Sequence, residues 1–173
     1  SADNLKKYPL AFAEVQGRRG SSTQLCSEDP EVVRLSVEAA RRTLSRPPET
    51  PLFSISPNDG GGFCEDDRCR RIDELYGVTD GTLSDRFVHY ANAVITEVRK
   101  SHPGKQLGIL AYIQHTAPPK KAVPLPEYAT LVTHTPWEFC HVHALDDPQC
   151  PANVRFTGYL KGWSALTRHT SMH

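Results

Sequence analysis

The segment 52–62, with the sequence LFSISPNDGGG, decides the fold expected for this chain. Its apolar first half, Leu52 to Ser56, predicts a β-strand that ends in a glycine-rich loop. Three consecutive glycines have no side chains to bury, so they allow a backbone or a substrate to approach closely. The loop also carries Asp59, and α/β enzymes place their chemistry on loops of this kind. The alternative is a tight turn in which the Asp59 side chain bonds only to its own backbone.

Helices and strands alternate along the chain on both sides of this segment. The expected helices begin at Asp29–Pro30, near Arg70, near Ser84 (with Thr82 or Ser84 as the cap) and near Asn153. The expected strands are Leu10–Val15, Leu52–Ser56, Leu107–Ile113 and Tyr128–Thr133. Apolar residues recur at helical spacing in the long helices, which predicts one buried stripe on each. Because helices separate most of the strands, the order predicts parallel β/α units rather than antiparallel hairpins.

The chain has 173 residues, the size of a single domain that spans residues 1–173. The expected fold class is α/β, built from parallel β/α units. Four strands are too few to close an eight-stranded barrel, which needs about 250 residues. The domain is therefore expected to be a partial TIM-barrel-like segment or, alternatively, a small open α/β layer. An unpaired edge strand would favour pairing with another copy, so a homo-oligomer is also expected.

Composition and motifs exclude several classes of function. The 20 lysines and arginines balance 20 aspartates and glutamates, and the basic residues are scattered without interleaved aromatics. Nucleic acid is therefore not an expected partner. No apolar run is long enough to cross a bilayer, so no membrane association is expected. The sequence has no nucleophile elbow, no phosphate-binding glycine–lysine loop and no dinucleotide fingerprint, and we expect no cofactor.

Polar and aromatic residues follow three successive predicted strands, on the side where parallel sheets bind ligands. They are Asn58 and Asp59 after the first, Tyr112, Gln114 and His115 after the second, and His134, Trp137, Glu138, His141 and His143 after the third. Two of them, Asp59 and Glu138, are carboxylates of the kind that glycosidic cleavage requires as acid and base. The aromatic rings of Tyr112 and Trp137 offer flat faces for a sugar, although core packing is their commoner role.

The five cysteines are Cys26, Cys64, Cys69, Cys140 and Cys150, an odd number that leaves at least one outside any intramolecular pair. Local disulfides joining Cys64 to Cys69 and Cys140 to Cys150, with Cys26 free, would suit an exported protein, and reduced thiols would suit a cytosolic one. The spacings do not match the paired cysteines of structural zinc sites, so no metal is expected. A metal-dependent hydrolase that uses His141 and His143 remains an alternative.

Several blocks of sequence carry a resemblance to a known family. Among them are Gln24–Cys26, Asp29–Val32, Phe53–Cys64, Asp67–Arg70, Tyr90–Val94, Cys150–Asn153 and Leu160–Trp163. Together they resemble the bacterial family called domain of unknown function 4838, a glycoside-hydrolase-like group. The resemblance implies a central segment of a (β/α)-barrel related to retaining hexosaminidases and α-glucuronidases. It also implies an acid at the end of the fourth barrel strand, which Asp59 matches best, although relatives often have two adjacent acids and this chain has Asn58 before Asp59.

The residues and the resemblance together predict a carbohydrate-active domain. In this hypothesis Asp59 is the general acid and Glu138 its partner, and the sugar site is lined by Asn58, Tyr112, His115, Trp137, His141 and His143. The competing hypothesis is a non-catalytic carbohydrate-binding or scaffold domain of a larger exported protein. The expected location is outside the cell or in the periplasm.

Overall fold

The computed structural model describes residues 2–46, 52–122, 130–134 and 138–172. Its helices are α1 (Ala2–Lys7), α2 (Pro30–Leu44), α3 (Asp67–Tyr76), α4 (Ser84–Arg99) and α5 (Pro151–Ser164). Its strands are β1 (Glu14–Val15), β2 (Arg18–Arg19), β3 (Leu52–Ser54), β4 (Gln106–Ala111), β5 (Thr130–His134) and β6 (His169–Met172). Short 3-10 turns occupy Pro9–Ala11 and Ile113–His115. Within the described ranges, no helix combines the length and the apolar character needed to span a membrane.

Four parallel strands form the main sheet, in the order β3-β4-β5-β6. Phe53 pairs with Leu107, Ile109 with Val132, and Val132 with Thr170. The predicted α/β class with parallel strands is confirmed. The order of the strands in the sheet is the same as their order along the chain. This arrangement is typical of an arc of a (β/α)-barrel and equally of a small open layer. The strands β1 and β2 form a separate antiparallel hairpin.

Helix α2 begins and packs as its sequence predicts. The Asp29 side chain accepts a hydrogen bond of 2.9 Å from the Glu31 N–H, and Pro30 occupies the first turn. Its buried stripe, Val32, Val37, Ala40 and Leu44, faces α4 and β3. The two helices are also joined by a 2.6 Å hydrogen bond between the hydroxyl groups of Ser36 and Tyr90. This pair of helices covers one face of the sheet.

Helix α4 is buried along most of its length, but its N-terminus differs from the expectation. Leu83 occupies the cap position without a side-chain hydrogen bond, so the expected cap at Thr82 or Ser84 is wrong. Ser84 and Asp85 are instead fully buried, and Asp85 accepts hydrogen bonds from three successive backbone N–H groups, those of Lys120, Lys121 and Ala122, at 2.8, 2.8 and 2.7 Å. A single carboxylate therefore holds the segment that follows β4.

Helix α5 packs closely against the same region. The indole Nε1 of Trp163, which is almost fully buried, donates a 2.9 Å hydrogen bond to the Thr116 carbonyl. A Cβ atom added at Gly162 would lie only 2.6 Å from Cγ of Pro118, so the helix approaches this turn more closely than any side chain allows. Glycine is disfavoured within a helix, and here the close approach requires it.

Two strand predictions are corrected by the structure. Leu10–Val15 is not a strand of the main sheet: residues 9–11 form a 3-10 turn, and only Glu14–Val15 is extended, in the small hairpin. The fourth strand of the observed sheet is β6, at the edge next to β5, and its residues His169–Met172 are all exposed. β6 has no apolar pattern, and strand prediction from sequence relies on such a pattern. The strand expected at 128–133 is described from residue 130, and residues 128–129 lie outside the described ranges.

Candidate functional site

A cavity of about 130 Å³ opens beside the carboxyl ends of β3 and β4. We call it the cleft. Among the residues that line it are Gln24, Asn58, Phe63, Arg86, Phe87, Tyr90 and His115. A smaller cavity next to it shares Asn58, Phe63 and His115 and adds Tyr112. The volume is well above the ~10–15 Å³ that one water molecule requires, so the cleft has room for a small ligand group.

His115 is the most informative residue of the cleft. It is 3% exposed, and neither of its ring nitrogens has a hydrogen-bond partner among the residues that the structure describes. Its imidazole stacks on the Phe87 ring at 5.0 Å between centroids and meets the Phe63 ring edge-on at 6.3 Å. Burial lowers the pKa of His115 to about 4, so the ring is neutral at pH 7. A buried, neutral imidazole without a partner costs free energy unless a ligand supplies hydrogen bonds.

The backbone around His115 is held in an unusual conformation. Ile113 has a φ angle of +49°, in the left-handed region that β-branched residues rarely adopt. The 3-10 turn that follows is tied to α4 by a 2.8 Å hydrogen bond from the Leu83 N–H to the Gln114 carbonyl. Strained backbone of this kind is concentrated at functional sites. The turn places His115 directly behind the end of β4.

A two-point clamp holds the loop after β3. The Gln24 side chain donates to the Asn58 carbonyl at 2.7 Å, and its amide oxygen accepts from the Asn58 N–H at 3.1 Å. Asp59 follows with its side chain exposed, and it has no hydrogen bond or ion pair to the other described residues. The turn in which Asp59 bonds its own backbone is therefore not observed. Asp59 lies beside the cleft and not among its lining residues.

The charge of Arg86 is balanced within the protein. Its guanidinium forms an ion pair with Asp73, including a 3.0 Å hydrogen bond from Nε, and donates to the Cys64 carbonyl at 2.7 Å. No aspartate or glutamate is among the described residues that line the cleft. With His115 neutral as well, the cleft presents polar groups and aromatic rings with little net charge.

None of the described residues predicted after the third strand lines the cleft. Glu138 accepts a 3.3 Å hydrogen bond from the Thr116 hydroxyl, next in sequence to His115. His141 and His143 are exposed on the loop before α5, where His143 contacts the Cys140 thiol at 3.2 Å. The buried side chain of Asn153 anchors this loop through the backbone of residues 140, 143 and 144. Trp137 lies outside the described residues.

The structure thus brings Asn58, Tyr112 and His115 together and leaves His141 and His143 elsewhere. For a second buried histidine, His134 at the end of β5, the described ranges likewise contain no partner for either ring nitrogen, and burial lowers its pKa. It meets the Phe156 ring edge-on at 6.4 Å. His134 is not among the residues that line the cleft.

Sequence reasoning missed the wall that α4 and the segment before α2 contribute. Phe87 belongs to the helical repeat of α4, which marks only a buried face, and Tyr90 lies outside that repeat. Nothing in the sequence around Gln24 indicated that its side chain would line the cleft. Arg86 is 7% exposed. An arginine among the buried positions of an apolar helix was the one signal that could have identified this wall, since buried charges need partners.

The cysteines form an unexpected group. All five are free thiols, so neither of the two local disulfides considered, Cys64 with Cys69 and Cys140 with Cys150, is present, and the alternative of reduced thiols is the one observed. Cys26, expected to stand alone, lies 3.7 Å from Cys69 between their Sγ atoms. We call Cys26, Cys64, Asp66 and Cys69 the thiol cluster: all four residues are buried, and their potential ligand atoms lie within 4.8 Å of one another. The glycine loop and two other segments meet at this cluster.

Comparison with known proteins gives one result. A family model described as a domain of unknown function, DUF4838, matches residues 2–173 of the chain. Comparisons with curated proteins and with solved structures found no significant match. The match covers nearly all of the 173 residues. The chain therefore belongs to the DUF4838 family.

Proposed function

We propose that this member of the DUF4838 family binds a carbohydrate in the cleft. The observation that carries the proposal is His115, a buried neutral imidazole whose two ring nitrogens have no hydrogen-bond partner in the described part of the chain. Buried polar groups in folded proteins are nearly always hydrogen-bonded, and exceptions point to a ligand or a chemical role. A sugar hydroxyl both donates and accepts, so it can satisfy either ring nitrogen in either tautomer.

The surroundings of His115 favour a neutral polyhydroxylated ligand over a charged one. Arg86 is already paired with Asp73, so it has no unbalanced charge to offer an anion. The rings of Phe63 and Tyr112 line the cavities on both sides of His115 and present apolar faces. Sugars combine hydroxyl groups with an apolar C–H face, which suits a cavity that has both features.

Replacing His115 by phenylalanine is expected to weaken carbohydrate binding at least tenfold. Phenylalanine keeps the aromatic contacts to Phe63 and Phe87 but removes both ring nitrogens. The loss of one or two hydrogen bonds, at about 1–1.5 kcal/mol each, corresponds to that change in Kd. A glycan array followed by calorimetry with the glycan found gives the measurement.

The matched control is His141→Phe, a similar substitution at an exposed histidine outside the cleft. It is expected to bind like the unmodified protein. If no glycan binds the unmodified protein, or if His115→Phe binds as tightly, carbohydrate binding in the cleft is wrong.

A second candidate function, hydrolysis of a glycosidic bond, is favoured by the state of Asp59. Its carboxylate is exposed beside the cleft, and no contact among the described residues engages it. In its protonated form the Asp59 carboxyl group can transfer a proton to the leaving oxygen of a sugar bound next to Asn58, which leaves Asp59 as the carboxylate. In this mechanism Glu138, which reaches Thr116 beside His115, acts as the second carboxylate.

Asp59→Asn is expected to lower the rate of hydrolysis of aryl glycosides at least 100-fold, because general acid catalysis contributes about 10²–10⁴-fold. Binding of the glycan should stay within about twofold, since the shape of the side chain is kept. Asp67→Asn, at an acid that is 83% exposed on α3, serves as the control. Unchanged hydrolysis in Asp59→Asn would remove Asp59 from the mechanism and leave the binding function intact.

A further inference from the structure

We infer that the thiol cluster is a structural site for a thiophilic divalent cation of the zinc class, held by Cys26, Cys64, Cys69 and Asp66. Three separate segments of the chain supply these residues: the stretch before α2, the end of the glycine loop, and the first turn of α3. The exposed fraction is 0% for Cys26 and Cys69, 3% for Cys64 and 6% for Asp66, so the site is closed to solvent. A closed site with four protein ligands is typical of structural zinc.

The distances between the potential ligand atoms fit tetrahedral coordination. Two sulfur atoms bound to zinc at about 2.3 Å in a tetrahedron lie roughly 3.8 Å apart, and a sulfur and an oxygen ligand lie roughly 3.5 Å apart. The Sγ atoms of Cys26 and Cys69 are 3.7 Å apart, and Cys26 Sγ is 3.5 Å from Asp66 Oδ2. A disulfide requires about 2.05 Å between sulfurs. The two thiols are spaced as neighbouring ligands of a metal ion.

The surroundings supply the contacts that metal-bound thiolates and carboxylates use. Cys64 Sγ accepts a 3.3 Å hydrogen bond from the Glu14 N–H, and the Cys26 sulfur lies 3.5 Å from a nitrogen of Arg68. Asp66 accepts from Arg19 at 2.8 Å and from Arg68 at 2.7 Å, and it caps α3 through the Cys69 N–H. Hydrogen bonds of this kind orient the ligands of a metal site.

The charges of the thiol cluster also favour a bound divalent cation. Three thiolates and one carboxylate carry four negative charges, and a divalent cation compensates two of them. The guanidinium groups of Arg19 and Arg68 stand against Asp66, and that of Arg86 holds the Cys64 carbonyl.

Elemental analysis of the purified protein, after incubation with zinc under reducing conditions and dialysis, is expected to give one zinc ion per chain. Cobalt bound in its place should show thiolate-to-metal charge-transfer absorption. Cys69→Ser should lower the zinc content to less than one fifth. Cys150→Ser is the control, because Cys140, His143 and Cys150 form a separate group of metal-capable residues that is partly exposed.

A variant that fails to fold does not block the test, because the unmodified protein is sufficient. Titration with a thiol reagent should release zinc to a chromogenic chelator as Cys26, Cys64 and Cys69 become modified, as identified by peptide mapping. Three results overturn the inference: no bound metal, a disulfide between Cys26 and Cys69, or release that follows modification of Cys140 and Cys150. The proposed carbohydrate site is tested separately, since these readouts need no ligand.

Discussion

Asp85→Ala is expected to reduce the free energy of unfolding by about 2–4 kcal/mol, because it removes the acceptor of three backbone N–H groups, of which that of Ala122 is buried. The Asp85 carboxylate is fully buried and accepts from residues 120–122. Alanine removes every one of these bonds and has no polar atom to replace the carboxylate. Since whole domains are stable by only about 5–15 kcal/mol, the loss is a large part of the total. Urea unfolding at pH 7, followed by circular dichroism, measures it.

Two further measurements test whether the loss of stability comes from these three hydrogen bonds. Asp67→Ala removes an exposed carboxylate from the first turn of another helix and should change stability by less than about 0.5–1 kcal/mol. In Asp85→Ala the released segment should also become a site for trypsin, which cleaves after Lys120 and Lys121. Equal stability losses in the two variants would show that the three N–H bonds contribute little.

Lowering the pH from 7 to 4 is expected to remove about 3 kcal/mol of stability through His115 alone. Its pKa is about 4 in the folded protein and 6.5 as the ordinary value. Between these two values the unfolded chain binds a proton that the folded protein excludes, so stability falls as the pH decreases from 6.5 to 4. Each unit of pKa difference corresponds to about 1.4 kcal/mol. His134, whose pKa burial also lowers, acts in the same direction.

The contribution of His115 can be separated from that of other groups. His115→Phe has no proton to exclude, so its stability relative to the unmodified protein should improve by about 3 kcal/mol between pH 7 and pH 4. The exposed control His141→Phe should follow the unmodified protein at every pH. If the free energy of unfolding changed equally with pH in all three proteins, His115 would bind its proton as readily in the folded protein as in the unfolded chain.

The elements that the sequence predicts well are those whose pattern is local. The stripe of α2 and its cap at Asp29 were visible because helical spacing and capping residues lie within a few positions of each other. β6 could not be predicted, because an exposed edge strand needs no apolar alternation. The strand predicted at residues 10–15 is wrong for the opposite reason. Ala11, Phe12 and Ala13 are apolar and buried, but they lie in irregular backbone and not in the sheet.

The candidate site was predictable in its position and only in part in its composition. Asn58, Tyr112 and His115 follow strands that are parallel neighbours, and the ends of such strands meet at one edge. The thiol cluster was not predictable from spacing, since Cys26 and Cys69 are 43 positions apart and meet only after folding. The role of Arg86 depends likewise on Asp73, which another helix supplies.

The left-handed backbone at Ile113 makes the orientation of His115 depend on helices at some distance from it. A residue in this conformation costs about 1–3 kcal/mol, and the turn would relax if its two anchors were released. Those anchors are the Leu83 N–H on one side and the Trp163 indole on the other. Substitutions in α5 can therefore rotate the imidazole without touching any residue of the cavity wall, so mutational effects on ligand affinity should extend well beyond the residues that a bound molecule contacts.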